Sequence, residues 1–316
     1  MDKPHPSVTL SVVAPVFNEK DTVEAFVEEV RAQLEALPLE SGYEIVLVND
    51  GSTDGTAAVL DELALKHAGQ IVVVHFSRNF GIAAAVCAAL DHATGDAVIV
   101  MDSDMQDDPA VFGAFLAKWR EGYQVVYAIR SSRQESAVQR FLFWAFYRLI
   151  HSITDAKLPM DAGNFALLDR AVADTISRMP ERNRYFSGLR AWVGYRQTGV
   201  PVARRERHRG DSRVGLRGLW IQAMNAIFSF SYVPIFAFRA IGLLSLLLSF
   251  ALMAWVLAQW FLTGEAIGAW ATPLISISFF GGINVLGVTL VGEYVARIYD
   301  EVRQRPNYIV ERISRH

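Results

Sequence analysis

The sequence predicts an α/β protein with a mostly parallel sheet, followed by a membrane-embedded C-terminal part. Three observations predict it. Short apolar runs alternate with helical spacing through the first half, most of these runs end in loops rich in Asp, Asn and Gly, and two long uncharged stretches fill the last quarter. TLSVVAPVF (9–17) reads as a strand, and DTVEAFVEEVRAQLEAL (21–37) as a helix with Asp21 as its N-cap. YEIVLVND (43–50) is a second strand and GTAAVLDELALKH (55–67) a second helix. QIVVVHFS (70–77) is a third strand, a helix follows over about 82–93, and DAVIVMD (96–102) is a fourth strand. This rhythm implies helices on both faces of the sheet. Ligands of such sheets sit at the C-terminal strand ends, where PVFNE, VNDGSTDGT, SRNFG and MDSDMQ all fall.

Charge is spread unevenly along the chain. Residues 1–129 hold 7 Lys/Arg against 20 Asp/Glu, residues 130–217 hold 17 against 8, and the remainder 6 against 5. An acidic front beside an arginine-rich middle suggests a metal site near an anion or a membrane surface, and no nucleic-acid partner is expected. The chain is 52% hydrophobic, which is high for a soluble protein and suggests membrane contact. The lone cysteine, Cys87, excludes an intrachain disulfide framework and suits a reducing compartment. The opening MDKPHPSVTL lacks an apolar core, so no cleaved signal peptide is expected.

The second half changes character. SAVQRFLFWAFYRLIHSI (136–153) places Arg140, Arg148 and His151 on one helical face, which suits a helix lying on a bilayer or one packed on the sheet. GLRGLWIQAMNAIFSFSYVP (215–234) poses the same choice. Residues 240–264 and 266–292 carry no charged side chain, and each exceeds the roughly 20 residues a spanning helix needs. Transmembrane helices are expected at about 240–262 and 272–292, the second starting near Pro273. The connecting loop TGEAIGAWA has no Lys or Arg, whereas arginines flank both spans on their other sides. The positive-inside rule then places both termini in the cytoplasm. Residues 1–214 form the expected cytoplasmic domain, and 215–316 a membrane domain ending in a cytoplasmic tail.

VMDSDMQDDP crowds Asp102, Asp104, Asp107 and Asp108 at the end of the fourth strand. Two carboxylates spaced i, i+2 on a turn can face one hard cation, with Gln106 offering a further oxygen. DDP reads instead as a helix N-cap with Pro109 at the first helical position. The four aspartates therefore divide, two for metal and two for capping. Asp50, at the tip of the second strand, either accepts hydrogen bonds from a base N–H and ribose hydroxyls or belongs to an ordinary Asx turn. Glu19 lies in the same neighbourhood.

VAPVFNE, VNDGSTDGT, FSRNFG and VMDSDMQDDP, in this order and spacing, resemble the GT-A domain of family 2 glycosyltransferases. The two C-terminal spans and RHRGDSR narrow the resemblance to the polyprenyl-phosphate glycosyltransferases, a group that includes dolichol-phosphate mannose synthases and bacterial bactoprenol glucosyltransferases. It covers essentially the whole chain. The resemblance implies that Pro15, Glu19 and Asp50 hold the nucleotide base. Asp102, Asp104 and Gln106 would hold Mg2+ or Mn2+ on the donor diphosphate. Arg130, closing VVYAIR, would sit near the diphosphate or the acceptor phosphate. Arg209 and Arg213, with Arg140 on the interfacial helix, would hold the lipid phosphate, a role that suits the planar guanidinium. A homo-oligomer, a tetramer by resemblance, is also expected.

The chain departs from this pattern in places. Asn164 in GNFALLDR stands where relatives carry an aspartate considered a catalytic base, and Ala166 where they carry an arginine. Ile82 and Ala83 replace a Lys-Glu pair after SRNFG. Asp161, three residues before Asn164, is the nearest remaining carboxylate. The expected activity is inverting transfer of a sugar from a nucleotide-sugar, UDP-glucose first and GDP-mannose as the alternative, to undecaprenyl phosphate at the cytoplasmic leaflet of the plasma membrane. Two other classes are a processive polysaccharide synthase, which would usually carry Q-x-x-R-W and more spans, and a non-catalytic membrane scaffold. The retained Asp102, Asp104 and Gln106 speak against a scaffold, which needs no metal.

Overall fold

The computed structural model describes residues 9–39, 41–130, 162–179, 181, 186–202, 233–263 and 271–316. The first half alternates β1 (Leu10–Val16), α1 (Val23–Glu35), β2 (Tyr43–Asn49), α2 (Thr56–Lys66), β3 (Ile71–Phe76), α3 (Ile82–His92) and β4 (Ala97–Val100). After a 3-10 turn at Pro109–Val111 come α4 (Phe112–Arg120) and β5 (Val125–Arg130). Then follow β6 (Ala162–Asp169), α5 (Arg170–Ser177), α6 (Phe186–Trp192) and β7 (Gln197–Val202). Two long helices, α7 (Val233–Thr263) and α8 (Ala271–Val302), precede a final strand, β8 (Val310–Arg315).

Among the described residues, eight strands join one sheet in the order β7-β5-β6-β4-β1-β2-β3-β8. β6 runs antiparallel to β4 and β5, and β8 antiparallel to β3, while the remaining pairs are parallel. The expected mostly parallel α/β sheet is present. Its central strands read as continuous apolar runs because both faces are covered: Val12, Ile45, Val73 and Ile99 are fully buried. Phe26 and Leu34 of α1 and Phe112 and Phe115 beside β6 close one face. The alanine-rich α3, buried from Ala84 to Leu90, packs against β1 and β2.

Two local expectations fail. Asp21 does not cap α1; the N-cap is Thr22, and the amides of Thr22 and Val23 donate to the Glu19 carbonyl instead. A backbone turn thus closes the helix start before Asp21 can. The aspartates at 107 and 108 do not both cap. Asp108 accepts from the Ala110 amide at 3.0 Å, with Pro109 at the first position, whereas Asp107 accepts from the Asp102 amide at 3.4 Å.

The described residues divide into two compact units, the sheet with its helices and the pair α7 and α8. Apolar windows at Ala237–Leu262 and Phe279–Val302 make both long helices candidate membrane spans. Helix α8 runs ten residues past the expected end at 292, because the polar turn that follows is helical too: Arg297 Nε donates to Glu293 at 3.0 Å, one turn away. Pro273 falls in the first turn of α8, where no intrahelical amide is needed. The two helices touch where a Cβ on Gly287 would lie 2.4 Å from the Phe238 ring, a close approach of the small-residue kind. The segment 305–316, expected as a tail, belongs with the sheet, where β8 pairs with β3 from Val72–Arg315 to Phe76–Val310. The expected helices at 136–153 and 215–234 lie outside the described residues, apart from the first residues of α7.

Candidate active site

The parallel strands β1, β2, β3 and β4 deliver their C-terminal loops to one edge, and hydrogen bonds lace those loops together. Asn18 (φ 54°) gives its amide to Ser52 Oγ at 3.0 Å and takes the Thr53 amide on its side-chain oxygen at 2.8 Å. The Glu19 amide donates to Thr56 Oγ1 at 3.0 Å, and its carboxylate accepts from Thr22 Oγ1 at 2.5 Å. The Asp50 amide donates to the Val16 carbonyl at 2.9 Å. Gly51 is required here. Its φ is 66°, and a Cβ would lie 2.4 Å from the Arg78 carbonyl carbon, so the loop after β3 rests directly on glycine backbone.

Asp50 is 3% exposed. Its two oxygens accept the Phe80 amide at 2.7 Å and the Gly81 amide at 3.0 Å. Burial pushes its pKa up, opposed by these two amides and by the Arg78 charge. Asp50 thus clasps the loops after β2 and β3 together, while Arg78 lies over the Phe80 ring with its guanidinium 4.0 Å from the centroid.

The next strand end, β4, carries Asp102-Ser103-Asp104. Ser103 is buried and its hydroxyl donates to the Pro15 carbonyl at 2.8 Å, which ties this turn to β1. Asp104 accepts from the Gln106 amide at 3.2 Å, and Met105 takes φ 59° to make the turn. Asp102, Asp104 and Gln106 are partly exposed. Among the described residues no group of three or more His, Cys, Asp or Glu is arranged to hold a metal ion. Mg2+ is commonly bound through one or two carboxylates plus substrate phosphates. Asp102 and Asp104, with the Gln106 amide oxygen, are hard oxygen donors on one short turn. That set fits an ion whose coordination a diphosphate completes and does not fit a closed structural site.

Across the sheet, the antiparallel β4–β6 ladder ends at Val100–Ala166. Asn164 lies two residues beyond that last pair on β6, and Asp102 lies two residues beyond it on the β4 side. Ser187 on α6 donates its hydroxyl to the Asn164 side-chain oxygen at 3.3 Å. Behind it, Arg190 is fully buried, donates to the Gly163 carbonyl at 2.9 Å and lies 5.1 Å from the Tyr127 ring centroid. Ser187 and Arg190 belong to no motif in the sequence; their one signal is an arginine inside the apolar run YFSGLRAWVG. Ala166 is a buried ladder residue between β4 and β5, and its methyl leaves that position to the core.

The structure thus brings Pro15, Glu19, Asp50, Asp102, Asp104, Gln106 and Asn164 to one edge of the sheet. Arg130 ends β5, where its backbone pairs with Val202. Asp161, Arg140, Arg209 and Arg213 lie outside the described residues.

A mostly parallel sheet that sets a buried carboxylate loop beside an Asp-x-Asp turn is the architecture of a GT-A glycosyltransferase. The model of glycosyl transferase family 2 matches residues 11–177. An uncharacterized glycosyltransferase of Synechocystis sp. is 40% identical over 306 residues, 96% of this chain and 95% of that protein. A prophage bactoprenol glucosyl transferase homolog of Escherichia coli is 38% identical over 307 residues, 97% of this chain and 99% of its own. Among solved structures, the mannosyltransferase PcManGT from Pyrobaculum calidifontis, in complex with GDP-Man and Mn2+, aligns over 94% of this chain and 89% of its own, at 19% identity and TM-score 0.48. The chain belongs to glycosyl transferase family 2 and is a glycosyltransferase.

Proposed function

We propose that the chain catalyses inverting, metal-dependent transfer of glucose from UDP-glucose to a polyprenyl phosphate such as undecaprenyl phosphate, giving a β-linked polyprenyl monophosphate sugar. The observation that carries this reading is the junction at one sheet edge of the clasped Asp50 loops with the Asp102–Gln106 turn, tied through Ser103 to Pro15. The bactoprenol glucosyl transferase relatives, matched over nearly their full length, support the acceptor class. Two helices long and apolar enough to span a bilayer support an acceptor that lives there. The arginine distribution supports a multi-pass protein of the plasma membrane with its sheet domain on the cytoplasmic side.

In the proposed reaction, Pro15, Glu19 and the Asp50 loop hold the base and ribose. Asp102, Asp104 and Gln106 hold a divalent ion, which when bound stabilises charge on the departing diphosphate. Arg130, Arg140, Arg209 and Arg213 grip phosphate, each through charge-assisted hydrogen bonds. An oxygen of the lipid phosphate forms a bond to the anomeric carbon. The bond from that carbon to the diphosphate oxygen breaks, and its electron pair leaves with UDP. Attack in line opposite the leaving group inverts an α-linked donor to a β-linked product. The acceptor needs no base, because a phosphate monoester is largely dianionic near pH 7. Asn164, held by Ser187, then serves to orient that phosphate.

The test is to incubate the purified full chain in bilayers with undecaprenyl phosphate and a panel of nucleotide-sugars that includes UDP-glucose and GDP-mannose. Transfer from UDP-glucose that stops in EDTA is expected. Transfer to a growing glycan with no lipid monophosphate sugar formed would overturn the reading.

A further inference from the structure

The last strand of the chain is tied to the loops at the ends of β2 and β3 by two separate sets of contacts. The first is a relay of side chains. The Arg312 guanidinium forks onto Asp61 of α2, at 2.8 Å to Oδ1 and 2.6 Å to Oδ2, and the Ser314 hydroxyl donates to the same carboxylate at 2.6 Å. Asp61 Oδ1 lies 3.1 Å from Nε2 of the buried His75. His75 Nδ1 lies 3.1 Å from Asn49 Nδ2. Asn49 Oδ1 accepts the Ser52 amide at 3.0 Å.

The proton count along this relay has one solution for a neutral imidazole. A charged Asp61 accepts, so Nε2 carries the proton. Nδ1 is then an acceptor, so the Asn49 amide group turns its N–H to the ring. The Asn49 oxygen is left facing Ser52, beside Asp50. Arg312 holds Asp61 in place, at one end of a relay whose other end is the Asn49 side chain, the last residue of β2 before Asp50.

The second set holds the neighbouring loop. The Ser77 amide donates to the Ile309 carbonyl at 3.1 Å. The Tyr308 ring stacks on Phe76, centroids 5.0 Å apart and planes within 14°, and Phe76 meets Phe80 edge-on at 5.6 Å. The Tyr308 hydroxyl donates to Asp91 of α3 at 2.5 Å. Phe80 is the residue whose amide Asp50 clasps.

An added strand that merely covers the edge of β3 requires the backbone ladder alone. It does not require an arginine fork on an adjacent helix, nor a polar relay running inward through a histidine that is 2% exposed. Buried polar groups cost free energy unless fully paired, and this relay ends on the site's own loop.

We propose that Arg312 and Tyr308 are positioning residues for donor binding: the segment after the second long helix sets the Asn49–Gly51 and Ser77–Gly81 loops that hold the nucleotide. This rests on the reading of the Asp50 loops as the nucleotide site.

The experiment compares the full chain with Arg312→Gln, Arg312→Lys, Tyr308→Leu and Asp50→Asn. It measures KM for UDP-glucose, KM for undecaprenyl phosphate, kcat, melting temperature and amide hydrogen exchange at residues 77–81. Arg312→Gln is expected to raise KM for UDP-glucose roughly three- to tenfold, the range set by one net hydrogen bond, with kcat and the lipid KM within twofold. Arg312→Lys recovers part of the loss, and Tyr308→Leu behaves like Arg312→Gln with faster exchange at Phe80 and Gly81. A lower melting temperature with both KM values unchanged would reduce the strand to edge cover and overturn the proposal, as would an equal rise in both KM values. If Asp50→Asn leaves UDP-glucose KM unchanged, the nucleotide-site reading fails by itself. Exchange at Phe80 and Gly81 then decides the positioning: acceleration in Arg312→Gln upholds it, and parental exchange overturns it.

Discussion

The Asp50 carboxylate accepts the Phe80 amide at 2.7 Å, joining the ends of two parallel strands through one buried side chain. Its other oxygen takes the Gly81 amide. Asp50→Asn would set an amide N–H against one of these two donors and leave a buried N–H without an acceptor. Such a group costs about 1–3 kcal/mol. The variant is expected to unfold at lower denaturant by that amount, with faster hydrogen exchange at Phe80 and Gly81. Unchanged stability would mean that the clasp contributes nothing.

Asp104→Asn tests the metal reading with little risk to the fold. Asp104 accepts the Gln106 amide through Oδ1, and an asparagine oxygen can do the same. On the metal reading the lost charge would count at the diphosphate, where removing a fixed stabilising group costs roughly 10²–10³-fold in kcat. Transfer is expected to fall by at least that much with the melting temperature unchanged, and EDTA should inhibit the parent. Full parental turnover in EDTA would remove the ion from the reaction.

The central strands were legible because β1 to β4 are short apolar runs ended by Asn, Asp and Gly, and the structure trims each by three residues or fewer. The aspartate crowding after β4 was legible because like charges need a partner. β8 was not legible. VERISR places Glu311, Arg312 and Arg315 in a strand at the rim of the sheet, which reads as a charged tail. Its partners are remote in sequence as well: Arg312 and Asp61 are 251 positions apart. No periodicity reports a contact of that kind. The role of Asp107 is hidden for a related reason: DDP offers two equivalent capping carboxylates, and only the folded turn decides which one meets the Asp102 amide.

His75 gives a prediction for pH. Burial first, and the Arg312 charge second, hold its pKa below the ordinary 6.5; Asp61 and Glu311 oppose this. Asp61 stays charged throughout, because the Arg312 fork lowers its pKa to about 2. Below 6.5 the unfolded chain takes up a proton that the folded chain refuses, so the unfolded state binds more protons. Stability therefore rises with pH through that window and falls on acidification. The fall in melting temperature between pH 7.5 and 5.5 is expected to be smaller in His75→Gln than in the parent. Equal slopes would mean that His75 titrates alike in both states.

The last prediction concerns the missing carboxylate. Asn164, held by the Ser187 hydroxyl, follows the last β4–β6 pair, where a general base would be sought. A sugar hydroxyl acceptor would need such a base, because its pKa is far above 7. A phosphate monoester has a second pKa of about 6 and arrives largely dianionic. Asp161, three residues away, then has no proton to remove. Asp161→Asn is expected to keep transfer within roughly a hundredfold of the parent, the low end of what general-base catalysis supplies. Asp102→Asn should be far worse, because on the metal reading it removes one of the two carboxylates that hold the ion at the diphosphate. The measurement is kcat for both variants at saturating substrates from about pH 5.5 to 8.5, bracketing the phosphate pKa near 6. With a phosphate nucleophile, the acid limb of the Asp161→Asn profile stays where the parent has it, since the acceptor and not the enzyme titrates there. If Asp161→Asn is as inactive as Asp102→Asn while UDP-glucose still binds, Asp161 is the base and the acceptor is not attacking as its own dianion.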